Sequence, residues 1–129
     1  MEHTALIVDD NALNLETLEV LLKKEGFHSI TLSSPRGIFD ILEEVEKVDV
    51  VFLDIEFPNH NGIEIVSRIA ADPHLVGVPI VAYSVHISEI QEARDAGFHS
   101  FIGKPLDTRR FPDQLRRILS GESVWEAGQ

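Results

Sequence analysis

Four positions in this chain carry side chains that could act together: the acid pair Asp9-Asp10, then Asp54, Ser84 and Lys104. Each position directly follows a short hydrophobic run, and these runs read TALIV, VDVVFL, VPIVAY and FHSFIG. In an open α/β sheet, ligands bind beyond the carboxyl ends of the strands. Three carboxylates, a hydroxyl and an ammonium at one such edge would form a site for a divalent cation and a phosphoryl group.

The carboxylates indicate which metal the site would hold. Clustered carboxylates repel one another unless a cation neutralises them, and Mg²⁺ prefers oxygen ligands and pairs with phosphate. No His or Cys has the spacing of a zinc site. A carboxylate beside Mg²⁺ can attack phosphorus and form an aspartyl phosphate. Lys104 would supply positive charge and Ser84 a hydroxyl donor to the phosphoryl oxygens.

Alternating sequence patterns predict the elements that position these residues. Most of the hydrophobic runs are continuously apolar, as is typical of strands buried on both faces of a parallel sheet. They span residues 4–9, 29–32, 49–53, 79–84 and 99–103. A helical period follows each run, and this strict alternation of five strands and five helices predicts a doubly wound α/β domain.

Capping residues predict where the helices begin and end. Gly26 and Gly97 should end the first and fourth helices, because glycine readily adopts the left-handed conformation found there. Ser34 is expected to cap the second helix and Ser88 the fourth, and Gly62 is expected to open the third. The last ten residues, SGESVWEAGQ, have no periodicity and are interpreted as a tail.

Composition bounds the class of protein. The 129 residues, 43% of them hydrophobic, are enough for one domain with its own core. The absence of cysteine excludes disulfides and thiolate metal sites. The first residues lack the basic segment of a signal peptide, and no apolar stretch approaches the roughly 20 residues of a membrane span. These features together predict a cytoplasmic protein without a membrane partner.

The charge distribution argues against nucleic-acid binding. The net charge is −11, whereas a nucleic-acid binder needs a positive footprint. A late basic cluster is interpreted as a solvated helix face, with a patch for an acidic partner as the alternative reading. Its members are Arg109, Arg110, Arg116 and Arg117.

Each site residue also has an ordinary structural explanation. Asp9-Asp10 could cap the first helix, Asp54 could be a turn residue, and Ser84 could be a loop hydroxyl. Lys104 could belong to a surface turn. The occurrence of all these residues, in order, at the ends of alternate segments argues against these separate explanations.

Taken together, the segments ALIVDDN, DIEFPNHNG, VAYS and FIGKP resemble the receiver domain of bacterial two-component response regulators. The resemblance extends over roughly residues 4–120. It implies a flavodoxin-like (βα)5 fold whose five-stranded parallel sheet has the order 2-1-3-4-5. It also implies a receiver domain at residues 1–120 and a C-terminal tail at 121–129, with no effector domain.

The resemblance assigns roles to the acidic residues. It implies that Asp54 is the phosphoacceptor and that Asp10 and Asp54 ligate Mg²⁺ directly. The backbone carbonyl of Glu56 would be a further ligand, and Asp9 would act through water.

Other roles follow from the same resemblance. Ser84 and Lys104 would contact the phosphoryl oxygens, with a cis bond between Lys104 and Pro105. Ser84 and Phe101 would form the switch, and output would appear on the face of the fourth helix, fifth strand and fifth helix. Phe101 stands where Tyr is commoner, so no phenolic hydrogen bond is available there.

The resemblance also implies that three positions tune the lifetime of the phosphate: Glu56, Val85 and His86. The β-branched Val85 stands where the family usually has a small residue, and it could narrow the path to the phosphoryl group. The acidic Glu56 could repel a phosphodonor or orient a water.

The expected partners are a sensor histidine kinase or a histidine phosphotransfer protein as donor, and a downstream protein or a second copy as recipient of the signal. The chain would then be a self-phosphorylating phosphoacceptor with possible autodephosphorylation, and not an enzyme. One alternative is a small Mg²⁺-dependent phosphohydrolase, because Glu56 stands at the offset of a general acid/base in such enzymes. Another is a flavodoxin-like binding module that takes no phosphate.

Overall fold

A computed structural model of the chain describes residues 3–57 and 60–126. In this part of the chain, six strands form one sheet and five α-helices cover it. The strands are β1 (His3–Val8), β2 (Phe27–Leu32), β3 (Val50–Asp54), β4 (Ile80–Ser84), β5 (Ser100–Gly103) and β6 (Trp125–Glu126). The helices are α1 (Ala12–Lys24), α2 (Ile38–Glu44), α3 (Gly62–Ala70), α4 (Ile90–Ala96) and α5 (Phe111–Leu119).

All neighbouring strands in the sheet run parallel, in the order β2-β1-β3-β4-β5-β6. The first five confirm the flavodoxin-like order expected from the sequence. A separate antiparallel pair, Glu56–Phe57 with His60–Asn61, follows β3.

The sheet differs from the expectation by one strand, because β6 lies within the segment interpreted as a tail. This strand of two residues pairs with β5, where Phe101 faces Trp125 and Ile102 faces Glu126. Sequence periodicity cannot indicate a strand this short, and its pairing depends on a partner more than 20 residues away.

The hydrophobic core lies on both faces of the sheet. Alternate strand residues point to opposite faces, so Ile7 and Phe52 join the cluster under α1 and α5. Leu6 and Val51 join the cluster under α2, α3 and α4. All five residues of β3 are buried, which explains why residues 50–53 are continuously apolar; the fifth is Asp54.

Two helix starts differ from the sequence prediction. The Ser34 hydroxyl accepts the backbone N–H of Arg36 at 3.1 Å in a turn, and α2 begins only at Ile38 after Gly37 at φ 87°. Ser88 lies inside a 3₁₀ turn that precedes α4. At Ser34 the local turn engages the hydroxyl that was expected to cap the helix. Before α4, Glu89 and not Ser88 occupies the cap position.

The predicted helix ends are confirmed. Gly26 follows α1 at φ 85°, and Gly97 caps α4 at φ 106°. Gly62 opens α3. Among the described residues, no helix combines the length and apolar character that crossing a bilayer would require.

Candidate functional site

Three carboxylates meet at the carboxyl edge of the sheet. Asp9 and Asp10 come directly after β1, and Asp54 is the last residue of the neighbouring β3. One carboxylate oxygen from each residue lies within 4.8 Å of the other two. Asp9 and Asp54 are buried and Asp10 is exposed, so the cluster opens to solvent on the Asp10 side. The tertiary structure therefore brings together the acidic residues singled out from the sequence.

Lys104 completes this cluster from the end of β5. Its ammonium lies 3.1 Å from Oδ2 of Asp9 and 3.1 Å from Oδ2 of Asp54, and its side chain is only 9% exposed. The peptide bond from Lys104 to Pro105 is cis. Lys104 is thus a buried cation shared between two buried carboxylates.

The donor set matches a hard divalent cation. Three carboxylates and one ammonium carry a formal charge of −2, and the available ligand atoms are all oxygens. Mg²⁺ takes oxygen ligands and keeps part of its water shell, which the exposed Asp10 side of the cluster would accommodate. Asp9, Asp10 and Asp54 are therefore the residues that would hold the metal.

Asp9 is fixed in place by its backbone and both carboxylate oxygens. Its N–H donates to the carbonyl of Leu32 at 3.0 Å, and its Oδ1 accepts the N–H of Asn11 at 2.9 Å. Asn11 itself caps α1, because its side chain accepts the N–H of Asn14 at 3.0 Å. The cap role considered for the acid pair therefore belongs to Asn11, and Asp9 is held toward the cluster.

Sequence reasoning missed Tyr83, which lies beneath the lysine. The Lys104 ammonium is 4.3 Å from the centroid of the Tyr83 ring, within range of a cation–π interaction. Burial raises the pKa of the Tyr83 phenol well above its usual value, and the negative charges of Asp9 and Asp54 raise it further. A pointer was available in the sequence, because Tyr83 immediately precedes Ser84 and is the only tyrosine.

Ser84 ends β4 on the strand between Asp54 and Lys104. It is 1% exposed, and its hydroxyl accepts the backbone N–H of His86 at 3.0 Å. Its carbonyl accepts the N–H of Lys104 at 2.8 Å, which ties the two strand ends together. The next residue, Val85, is 59% exposed and lies at the surface. His86 is also exposed.

Phe101 lies inside the protein. It is fully buried in the core cluster on the α4 side of the sheet, and Ala82 is its partner on β4. The switch role implied for Phe101 together with Ser84 stays a prediction. Glu56 belongs to the short antiparallel pair, and its side chain lies outside the described residues. The metal-ligand role of its carbonyl also stays a prediction.

The parallel sheet with an acidic site at its carboxyl edge defines a flavodoxin-like α/β domain. The chain belongs to the response regulator receiver domain family, whose model matches residues 5–116. The polar-differentiation response regulator DivK of Brucella ovis is 26% identical over 121 residues, which covers 92% of this chain and 98% of that protein.

Solved structures agree with this assignment. A CheY-like response regulator receiver domain from Methylobacillus flagellatus matches with a TM-score of 0.80 at 27% identity, covering 92% of this chain and 99% of that one. The chemotaxis response regulator CheY4 of Vibrio cholerae matches with a TM-score of 0.81, at 20% identity and the same coverage. This second likeness is one of fold.

Proposed function

We propose that the chain accepts a phosphoryl group on Asp54 from the phosphohistidine of a sensor histidine kinase or a histidine phosphotransfer protein. The observation that carries this proposal is the position of Asp54, which is buried beside Asp9 and Asp10 with its Oδ2 3.1 Å from the Lys104 ammonium. Family membership supports the same role.

In the proposed reaction, a carboxylate oxygen of Asp54 forms a bond to phosphorus while the phosphorus–nitrogen bond of the donor breaks. The electron pair of that bond stays on the imidazole nitrogen. Lys104, already next to Asp54, would balance the charge on a phosphoryl oxygen, and Ser84 would donate its hydroxyl to another. Bound Mg²⁺ would supply charge neutralisation and orientation at the same oxygens.

The proposed output is by association, with a downstream protein or a second copy, on the face of α4, β5 and α5. Ser84 and Phe101 would couple this face to the phosphoryl group, because β5 carries Phe101 and leads directly to Lys104. Phosphorylation can shift such an equilibrium only through groups that contact it differently in two states. The encounter with the donor would take place in the cytoplasm.

The test is labelling by acetyl phosphate in the presence of Mg²⁺. Intact mass should rise by one phosphoryl unit, and Asp54→Asn should abolish the gain. Asp95→Asn, a change on the exposed side of α4, is the matched control and should label like the wild type. Full labelling of Asp54→Asn would assign the phosphate to another residue.

Two further measurements separate the alternatives. Repeated turnover of a generic phosphate ester would support a phosphohydrolase, whereas a single loading event per chain supports a phosphoacceptor. Ser84→Ala should weaken the response of partner binding or self-association to a beryllofluoride mimic, while Asp54 still accepts phosphate. A full response in Ser84→Ala would show that the signal does not pass through Ser84.

A further inference from the structure

The segment before β6 is fixed to the first residues of β5 by its backbone. Val124 is 1% exposed, and its N–H donates to the buried Ser100 hydroxyl at 2.9 Å. Its carbonyl accepts the N–H of Phe101 at 2.7 Å. The chain therefore places its own extended segment along the edge of β5 that would otherwise be open.

Trp125 contacts α4, on one side of β5. The guanidinium carbon of Arg94 lies 4.6 Å from the centroid of the Trp125 ring, a cation–π arrangement. The indole is half-buried and packs against the same core cluster that contains Phe101.

Glu126 contacts α5, on the other side of β5. Its carboxylate accepts Arg110 Nη2 at 2.5 Å, Gln114 Nε2 at 2.8 Å and Arg117 Nη1 at 3.1 Å. The hydrogen bond from Gln114, followed by the arginines, holds the pKa of Glu126 below its usual range. The basic cluster interpreted from the sequence as a solvated helix face is thus partly engaged, because two of its four arginines bind this acid.

The edge of β5 therefore carries a strand whose two side chains contact different helices, Trp125 on α4 and Glu126 on α5. Strand addition obtains affinity from main-chain hydrogen bonds, and pockets for alternating side chains give specificity. Here the surface offers an arginine face for an aromatic ring on the α4 side and an arginine pair for a carboxylate on the α5 side. Arg94, Arg110 and Arg117 are the cations of this surface, and Arg117 also pairs with Glu122 and Asp113.

We propose that this surface, formed by β5 with Arg94, Arg110 and Arg117, binds an extended segment of a partner protein in which an acidic residue follows an aromatic one. The chain's own Trp125–Glu126 occupies the surface until that segment displaces it. This inference rests on the proposed function, because it names the chemistry of the partner for the output face of α4, β5 and α5.

The short length of β6 makes exchange feasible. Only two residues pair with β5, whereas globular strands usually have about five or six. An attached segment competes at an effective concentration of roughly millimolar order. A partner segment present at a lower concentration must therefore have a higher affinity for β5 than the chain's own segment has. Otherwise it must arrive when phosphorylation has weakened the docking of β6.

The test begins by releasing the tail in the full chain. Glu126→Arg places a third cation against Arg110 and Arg117 and should undock β6. Trp125 is the only tryptophan, so its quenching by acrylamide reports docking directly. We expect at least a twofold rise in the quenching constant. Glu122→Arg is the matched control, because Glu122 also pairs with Arg117 but lies outside β6. It should leave Trp125 protected.

The second step adds a probe, a synthetic peptide of residues 121–129, to isotope-labelled protein. In the Glu126→Arg variant, the peptide should shift the amide resonances of residues 100–103. Its affinity for the wild-type protein should be at least tenfold lower. A peptide with lysine in place of glutamate at 126 should not bind.

Three results would overturn the proposal. The first is an acrylamide quenching constant of Trp125 that is unchanged in Glu126→Arg. The second is a lack of peptide binding once Trp125 is released. The third is binding of the charge-reversed peptide that equals binding of the natural one. Phosphorylation of Glu126→Arg at Asp54, measured by intact mass, is read separately. A variant that is phosphorylated but does not bind the peptide would contradict this inference alone. Absence of phosphorylation in every variant would contradict the proposed function.

Discussion

The ammonium of Lys104 lies 3.1 Å from Oδ2 of Asp54, although 50 positions separate the two residues in the chain. To reach Asp54 at the end of β3, Lys104 extends from the end of β5 across β4, where the Tyr83 ring lies beneath it. The same ammonium is 3.1 Å from Asp9 on β1. One lysine thus links the ends of three strands and partly neutralises two buried carboxylates.

Removing this lysine should destabilise the metal-free protein. Lys104→Gln leaves two buried carboxylates without their cation, and loss of one partner of a buried pair typically costs about 3 kcal/mol. Urea denaturation without Mg²⁺ measures the loss. Lys47→Gln is the control, because Lys47 is 70% exposed in its pair with Asp49 and such pairs contribute about 1 kcal/mol or less. Equal losses in the two variants would contradict the structural role of Lys104.

Mg²⁺ should stabilise the fold, because we expect it to bind the native carboxylate cluster and not the unfolded chain. At a concentration one hundred times its Kd, the gain is about 2.7 kcal/mol. Asp10→Ala should remove this gain and raise the metal-free melting temperature, since it relieves repulsion within the cluster. Asp95→Ala, outside the cluster, should keep the full response to Mg²⁺. A wild-type melting temperature insensitive to millimolar Mg²⁺ would count against the site.

Most of the contribution of α1 to the stability of the domain should come from the residues on its inner face. Leu22 lies on this face of α1 and is fully buried, and Leu22→Ala should lower the free energy of unfolding by about 2–5 kcal/mol. Leu13 lies on the same helix and is 69% exposed, so Leu13→Ala should change it by about 0.5 kcal/mol or less. Chemical denaturation of both variants checks this, and similar effects would mean that α1 packs differently.

Tyr83 should resist ionisation in the folded protein. Burial raises the pKa of its phenol above the ordinary value of 10.0, and Asp9 and Asp54 raise it further. The unfolded chain therefore loses this proton at lower pH than the folded one does. The stability that depends on the neutral phenol of Tyr83 is therefore fully present below about pH 10, and it declines as the pH rises beyond this value.

The near-ultraviolet absorbance of phenolate follows this titration, because the chain has one tyrosine. The signal should appear together with unfolding, and Tyr83→Phe should be more stable than wild type at high pH. A normal titration in a chain that is still folded would show that Tyr83 is accessible.

Much of the fold and of the site was predictable from the sequence. Continuous apolar runs require strands buried on both faces, and their alternation with helical periods leaves few topologies other than a parallel sheet. Because the carboxyl ends of parallel strands share one edge, the positions of Asp9, Asp54 and Lys104 directly after those runs already indicate one acidic site.

Other features depend on contacts that no local pattern contains. The start of α2 at Ile38 depends on a turn around Ser34, which competes with the helix for the same backbone groups. The position of Tyr83 beneath Lys104 depends on the order of the strands, because only the β3-β4-β5 sequence of neighbours places that ring under the lysine. Propensity alone cannot distinguish these arrangements.

The sequence by itself determined the class of fold and the edge at which the reactive groups collect, because periodicity and strand ends are local properties of the chain. Only the tertiary structure decided that residues 125–126 become a sixth strand. Two residues contain too little information to specify a strand. The partners that fix them are the edge of β5, Arg94 on α4, and Arg110 and Arg117 on α5, and they come together only when the domain has folded.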